Sequence, residues 1–249
     1  MTRRLVNLGH GFWNVRCTMK IGGILNIGTH VSIVRKKSGR FLILDSYTLN
    51  GEIKDQVMGL TDDGRLVDAV LNLHPFHTLH CDAMARDFPG AKFYGSERHR
   101  RVCPGVPWEG EAVESPEVVG QFEEDLLFSL PQGIDYISAD ESVHAGSLLA
   151  YHPESGALHV DDTFNVLPVP PVLRRRIPKL LLHPTLKKAL KTHDGALDEF
   201  CSWLEALGRD WEGVAALCAA HNGVQRFSKG EFTRATERAS HRINEKLAA

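Results

Sequence analysis

The chain has 249 residues, 43% hydrophobic and 24% charged, the balance of a globular protein able to bury a large core. Its 29 basic residues against 31 acidic leave a net charge of −2, which excludes a global electrostatic drive toward nucleic acid or an anionic membrane. With no signal-peptide-length apolar stretch after Arg3-Arg4 and no apolar run of roughly 18 residues, a soluble, cytoplasmic chain folding as one domain over 1–249 is expected.

Residues 21–45 carry three apolar segments, IGGILNIG, HVSIVRKK and RFLILDS, broken by Gly-Thr and by Lys37-Ser38-Gly39, as consecutive antiparallel strands would be. After a polar stretch, Leu66 to Leu73 is a short apolar run ending at His74, and Leu79, Ala83, Met84 and Phe88 then fall near helical spacing. His74 and His77 therefore stand where a strand gives way to a helix. Pro89-Gly90 stops that helix, residues 91–95 read as a strand, and Ser96 is placed to cap a short helix through Val102. Residues 103–120, rich in proline and glycine, read as a surface loop.

Strands are predicted again at 126–130 and 134–138, and the segments GSLLAYH and ALHVDDTF flank Pro153-Glu154-Ser155-Gly156 as a hairpin. From Pro168 the stretch VPPVLRRRIPKLLLHP is irregular and apolar, the place expected for a lid or a homodimer contact. A helix with Leu197, Phe200, Cys201 and Leu204 on one face, a strand through Ala219, and a charged helix over 229–247 complete the chain. The Trp203, Leu207 and Trp211 set reads as packing. Two β-rich halves with helices outside fit an α+β layered sandwich better than a doubly wound parallel sheet.

The chemistry-bearing segment is LNLHPFHTLHCD at 71–82, with His74, His77 and His80 three residues apart, then Cys81 and Asp82. Metal ligands must converge from several positions, and proteins present them from loops at strand ends. Such ends here carry His74 and His77, His144, Asp162 and His221. On a helix His80 shares a face with His77 and is a further candidate ligand, whereas Asp82 points to the surface. Cys17, Cys81, Cys103, Cys201 and Cys218 are scattered without C-x-x-C spacing, which argues for reduced structural thiols over a disulfide framework or zinc ribbon. Cys81 has no thiolate-stabilising neighbours. The basic runs Arg98 to Arg101 and Arg174 to Arg176 read as solvated faces. His10, His30, His99, His152, His159, His183, His193 and His241 have no spacing that lifts them above core or surface use.

In order along the chain, LILDS (42–46), the histidine cluster, FPGAKFYGS (88–96), His144-Ala145-Gly146-Ser147, VDDTF (160–164) and CAAHNG (218–223) resemble the metallo-β-lactamase superfamily. The resemblance implies a four-layer αββα sandwich with a one- or two-metal site among its loop ends. It carries Asp162 onto the family's bridging aspartate, His144 onto the histidine before Gly-Ser, and His221 onto the final ligand. The family's H-x-H-x-D-H motif is eroded: His74 and His77 take its second and last histidines, but Asn72 stands at the first and Phe76 at the aspartate. Asp161 replaces the glycine before the bridging aspartate, and Asp45 is expected as a loop-stabilising carboxylate and not a ligand.

The resemblance then leaves His74, His144 and Asp162 for one site and His77, Asp162 and His221 for the other. Three donors plus water make a catalytic zinc site. One ion of zinc, iron or manganese is therefore expected rather than two, with no metal as the alternative. The implied activity is hydrolysis of a small ester, thioester, lactone or amide by a metal-bound hydroxide, with Asp162 orienting it or taking its proton. The competing expectation is a non-catalytic, metal-free member of the fold that binds a small molecule or a protein. Di-iron redox chemistry is disfavoured by Phe76 and by the lack of a flavin-binding segment, and nucleic-acid processing by the charge balance. Loops 103–120 and 165–192 are expected to set specificity.

Overall fold

A computed structural model describes residues 4–21, 25–166, 177–221 and 223–248. The Arg174 to Arg176 run and much of the expected lid or dimer segment, at 167–176, lie outside the described residues. The chain divides into two compact units, Met1–Leu127 and Phe128–Ala249.

The first unit opens with a hairpin that sequence reasoning missed, β1 (Arg4–Gly9) and β2 (Phe12–Cys17). Gly9, His10 and Gly11 turn it with φ of 91°, 48° and 78°, and a side chain at Gly11 would crowd Arg35. The short pair β3 (Lys20–Ile21) and β4 (Leu25–Asn26) precedes β5 (Thr29–Arg35) and β6 (Phe41–Leu44), which pair antiparallel as predicted. Next come α1 (Gly51–Leu60), β7 (Val67–Leu71), α2 (Cys81–Asp87), β8 (Lys92–Tyr94), α3 (Glu97–Val102) and α4 (Pro116–Val119). The sheet order is β1-β2-β5-β6-β7-β8, antiparallel through β6 and parallel from β6 to β8. Helix α1 was read as a polar stretch because only Ile53 and Val57 of its residues are buried. The Ser96 cap forms as predicted, with its side chain accepting from His99.

Alternation along the strands sorts this unit's interior. Val15, Val31, Ile33, Ile43, Val70 and Phe93 form one core with Val57 and Met84. Fully burying a side chain of Phe93's size contributes about 1.5–3 kcal/mol. Asn14, Arg16, His30 and Ser32, in the alternate positions of β2 and β5, are buried too. There Asn14 Nδ2 donates to His30 Nδ1 and to Ser32 Oγ, each at 3.0 Å.

The second unit holds β9 (Leu127–Ser129), which begins at the unit boundary, β10 (Leu149–His152), β11 (Ala157–Val160), β12 (Phe164–Asn165) and β13 (Leu181–Leu182). It continues with α5 (Leu186–Ala189), α6 (Ala196–Asp210), β14 (Ala216–Ala219), β15 (Gly223–Arg226) and α7 (Glu231–Ala248). Its sheet order is β15-β14-β11-β10-β9. The hairpin at Pro153 to Gly156 joins β10 to β11 as predicted, and β11 runs parallel to β14. The strand expected at 134–138 does not form. Ile134 makes only an isolated bridge to Leu190, and Asp135 N donates to Ala189 O at 2.8 Å, so this backbone is spent on the α5 segment. Residues 103–120 are not wholly a loop, since α4 forms within them.

The core here is Leu158, Val160 and Leu217 under Phe200, Leu204 and Leu207 of α6. Trp203 and Trp211 belong to it, as the packing reading required. Helices α6 and α7 approach closely at Gly208, where a Cβ would meet Thr236 Oγ1 at 1.9 Å. Among the described residues no helix is long and apolar enough to cross a membrane.

Candidate metal centre

Polar side chains gather at the C-terminal ends of the parallel strands, where open α/β sheets place ligands. In the first unit Leu44, Leu71 and Tyr94 are in register, so the next residues emerge side by side. Asp45, with φ of 64° and almost no exposure, accepts from Leu73 N at 2.8 Å and is the loop-stabilising carboxylate expected. Asn72, where the resemblance expects a histidine, is a buried hub. Its Oδ1 accepts from Ser46 Oγ at 2.6 Å and from Cys81 Sγ at 3.6 Å, and its backbone N donates to Tyr94 O at 2.9 Å.

The structure brings His74 and His77 together as a stacked pair, ring centroids 4.2 Å apart. His74 is fully buried, and its Nδ1 accepts from Phe76 N at 3.1 Å. Phe76 itself lies under the Arg98 guanidinium, 4.4 Å from the ring centroid, while Arg98 Nη1 donates to Pro75 O at 3.1 Å. A cation–π contact thus occupies the position where the resemblance expects an aspartate. His80 turns toward Tyr47, ring centroids 4.6 Å apart, and its Nδ1 is 2.9 Å from Thr48 Oγ1. Burial lowers its pKa and His77 adds to the effect. Cys81 is inert: burial, then Cys103, pushes its thiol far up.

In the second unit the pairing of Val160 with Ala219 sets the residues after β11 beside those after β14. His221 Nε2 consequently lies 3.0 Å from Asp162 Oδ1, with the Asp162 side chain only 4% exposed. The loop bearing His144 is clamped to the same place. Thr163 Oγ1 donates to Ala145 O at 2.9 Å and accepts from Ser147 N at 3.0 Å and Ser147 Oγ at 2.8 Å. Gly146 is required there, because a Cβ would come 2.7 Å from Asp135 O. His144 Nε2 is 2.5 Å from Glu141 O and so carries its proton there.

Two histidines set aside as core or surface belong to this region. His183, after β13, has its Nδ1 2.8 Å from Thr185 Oγ1, and its titration is sensitive to Asp162, His144 and His221. Burial lowers its pKa, Asp162 opposes that, and the two imidazoles reinforce it. It was missed because it sits in a stretch with no legible period. His159 Nε2, on β11, lies 3.8 Å from Oδ2 of Asp161, the first residue after that strand, and both side chains are fully buried. Asp161, at the family's glycine position, is therefore a second buried carboxylate.

Two mixed sheets with helices and with histidines and aspartates at their parallel strand ends give an α+β chain with the metallo-β-lactamase fold. No family model and no curated protein matches the sequence. Solved structures that it resembles include the DIM-1 metallo-β-lactamase, at 12% identity and a TM-score of 0.61 over 98% of this chain and 99% of that one. FIM-1 from Pseudomonas aeruginosa in its mono-zinc form matches at 11% identity and 0.61 over 98% and 96%. A metallo-β-lactamase from Hirschia baltica matches at 13% identity and 0.60 over 96% and 98%. At these identities the likeness is one of fold.

The donors suit a metal. Imidazole with carboxylate is the ligand chemistry of catalytic zinc, and a His–Asp spacing of 3.0 Å is close to that of two ligands about 2.1 Å from one ion.

Proposed function

We propose that this protein is a metal-dependent hydrolase using one ion, acting on a small ester, thioester, lactone or amide. The carrying observation is the Asp162–His221 pair at 3.0 Å, with His144 clamped to the same loop by Thr163. Asp162 and His221 would hold the ion, while His144, on the loop clamped beside Asp162, has its Nε2 at Glu141 O. When bound, such an ion supplies Lewis-acid polarisation of a carbonyl and makes water acidic near neutral pH. The chain's own work is to position and to move a proton: with Oδ1 beside His221 Nε2 toward the ion, the second oxygen of Asp162 would accept it. The mono-zinc form of FIM-1 supports a single ion in this fold.

A metal-free binding module is the second reading. It is favoured by Asn72 and Phe76, which do structural work where the resemblance expects ligands. Elemental analysis of protein purified without a metal-binding tag separates the two. About one zinc, iron or manganese per chain, lost in Asp162→Ala and in His221→Ala, supports the hydrolase. Metal-free protein whose melting temperature ignores added zinc leaves the binding module, because an ion held by the native state alone must raise stability by mass action.

A further inference from the structure

Beside the proposed centre, the second unit has a groove with an unusual charge balance. It encloses about 340 Å³ between the β13–α5 segment and the C-terminal half of α7. Its walls are Leu181, Leu182, Leu186, Ile243 and Leu247, and its cations are Lys187, Arg242 and Lys246, with no carboxylate among the lining residues. Leu182 and Ile243 pack on the unit's core yet stay partly exposed, so the floor is apolar surface that folding leaves in contact with water. A pocket of this size is in the range that holds small ligands.

The charge on α7 points the same way. Arg238, Arg242 and Lys246 recur every four residues and so lie along one helix face, where neighbouring like charges destabilise the helix. Burial and the nearby Arg238 depress the Arg242 pKa, the mark of a cation with cationic company. Of the acids on α7, Glu231 pairs with Lys179 at 2.7 Å and Glu245 faces His241 at 3.4 Å, and neither these nor Glu237 lines the groove. Leaving such a ridge beside an apolar trough costs stability unless an anion completes it.

We propose that this groove binds a single-chain anionic amphiphile, its acyl chain along Leu182, Ile243 and Leu247 and its carboxylate between Lys187 and Lys246. A hydrocarbon tail takes up the exposed floor, and the head meets two exposed ammonium groups at the rim. His183 also lines the groove, whereas Asp162, His144 and His221 do not, so the proposal does not depend on the metal centre.

Calorimetric titration of the full chain with monomeric octanoate, decanoate and dodecanoate tests this. Affinity is expected to rise about fourfold per added methylene, and decylamine to bind at least tenfold more weakly than decanoate. Lys187→Glu with Lys246→Glu should weaken decanoate at least tenfold at unchanged helical circular dichroism, because both side chains are exposed. Leu247→Ser, near the helix end, should weaken decanoate while leaving the melting temperature in place. Asp162→Ala should bind decanoate like the parent even where its metal is lost, which keeps this inference separable from the hydrolase. Binding without chain-length dependence, equal binding of decylamine, or adsorption to phosphatidylserine vesicles without uptake of monomeric decanoate would each overturn it.

Discussion

Asn72 shows how a ligand position becomes a structural one. Its side chain, fully buried, ties Ser46, Cys81 and the backbone of β8 together. Asn72→Ala should therefore cost about 1–3 kcal/mol through the stranded Ser46 hydroxyl, read as a shift in urea midpoint. Restoring the histidine with Asn72→His should also destabilise, since an imidazole cannot reproduce both contacts in a closed space. At Phe76 the same logic runs through Arg98, whose guanidinium is held by the ring face and by Pro75 O. Asp68 supplies a titration test in the first unit. Burial opposes its charge, but hydrogen bonds from Arg40 and from Lys36 outweigh that, so its carboxyl is held below the ordinary value. Its stabilisation is thus fully present above about pH 4 and is lost as pH falls through the folded value. Asp68→Asn should flatten that limb of the acid-unfolding curve by under about 1 kcal/mol, since both partners are partly exposed.

Helices α6 and α7 meet through a residue that propensity alone would replace. Alanine is favoured over glycine inside a helix by about 1 kcal/mol, yet a Cβ at Gly208 would strike Thr236 Oγ1. Gly208→Ala is expected to destabilise by about 1–3 kcal/mol, and pairing it with Thr236→Ala should recover part of the loss in a double-mutant cycle. In α3 the cap matters locally: Ser96→Ala should cost about 1 kcal/mol, with the shift seen in urea unfolding. The elements misread from sequence have a common cause. Segment 134–138 alternates like a strand but gives its hydrogen bonds to the α5 segment, and α1 hides because only two of its side chains are buried. Strong periodicity, as in α6, was legible; weak periodicity settled by tertiary partners was not.

Across the chain, all five cysteines are buried thiols, as reduced structural cysteines should be. A disulfide-exchange reagent should therefore find almost none of the five in native protein within minutes and all five in denaturant. The metallo-β-lactamase fold was legible from the order of motifs, because glycine turns, strand patterns and the β10–β11 hairpin signal are local properties. Asp162 and His221 were legible as strand-end donors for the same reason. Their 3.0 Å approach was not, because it depends on the parallel register of β11 and β14 across more than fifty residues of chain. Nor were His183 beside Asp162, the His159–Asp161 pair, or the structural uses of Asn72 and Phe76. Sequence by itself determined which donors and turns the chain carries, since composition and short-range pattern are written residue by residue. Only tertiary structure decided which donors meet, because separation in space is set by strand register and packing between distant segments.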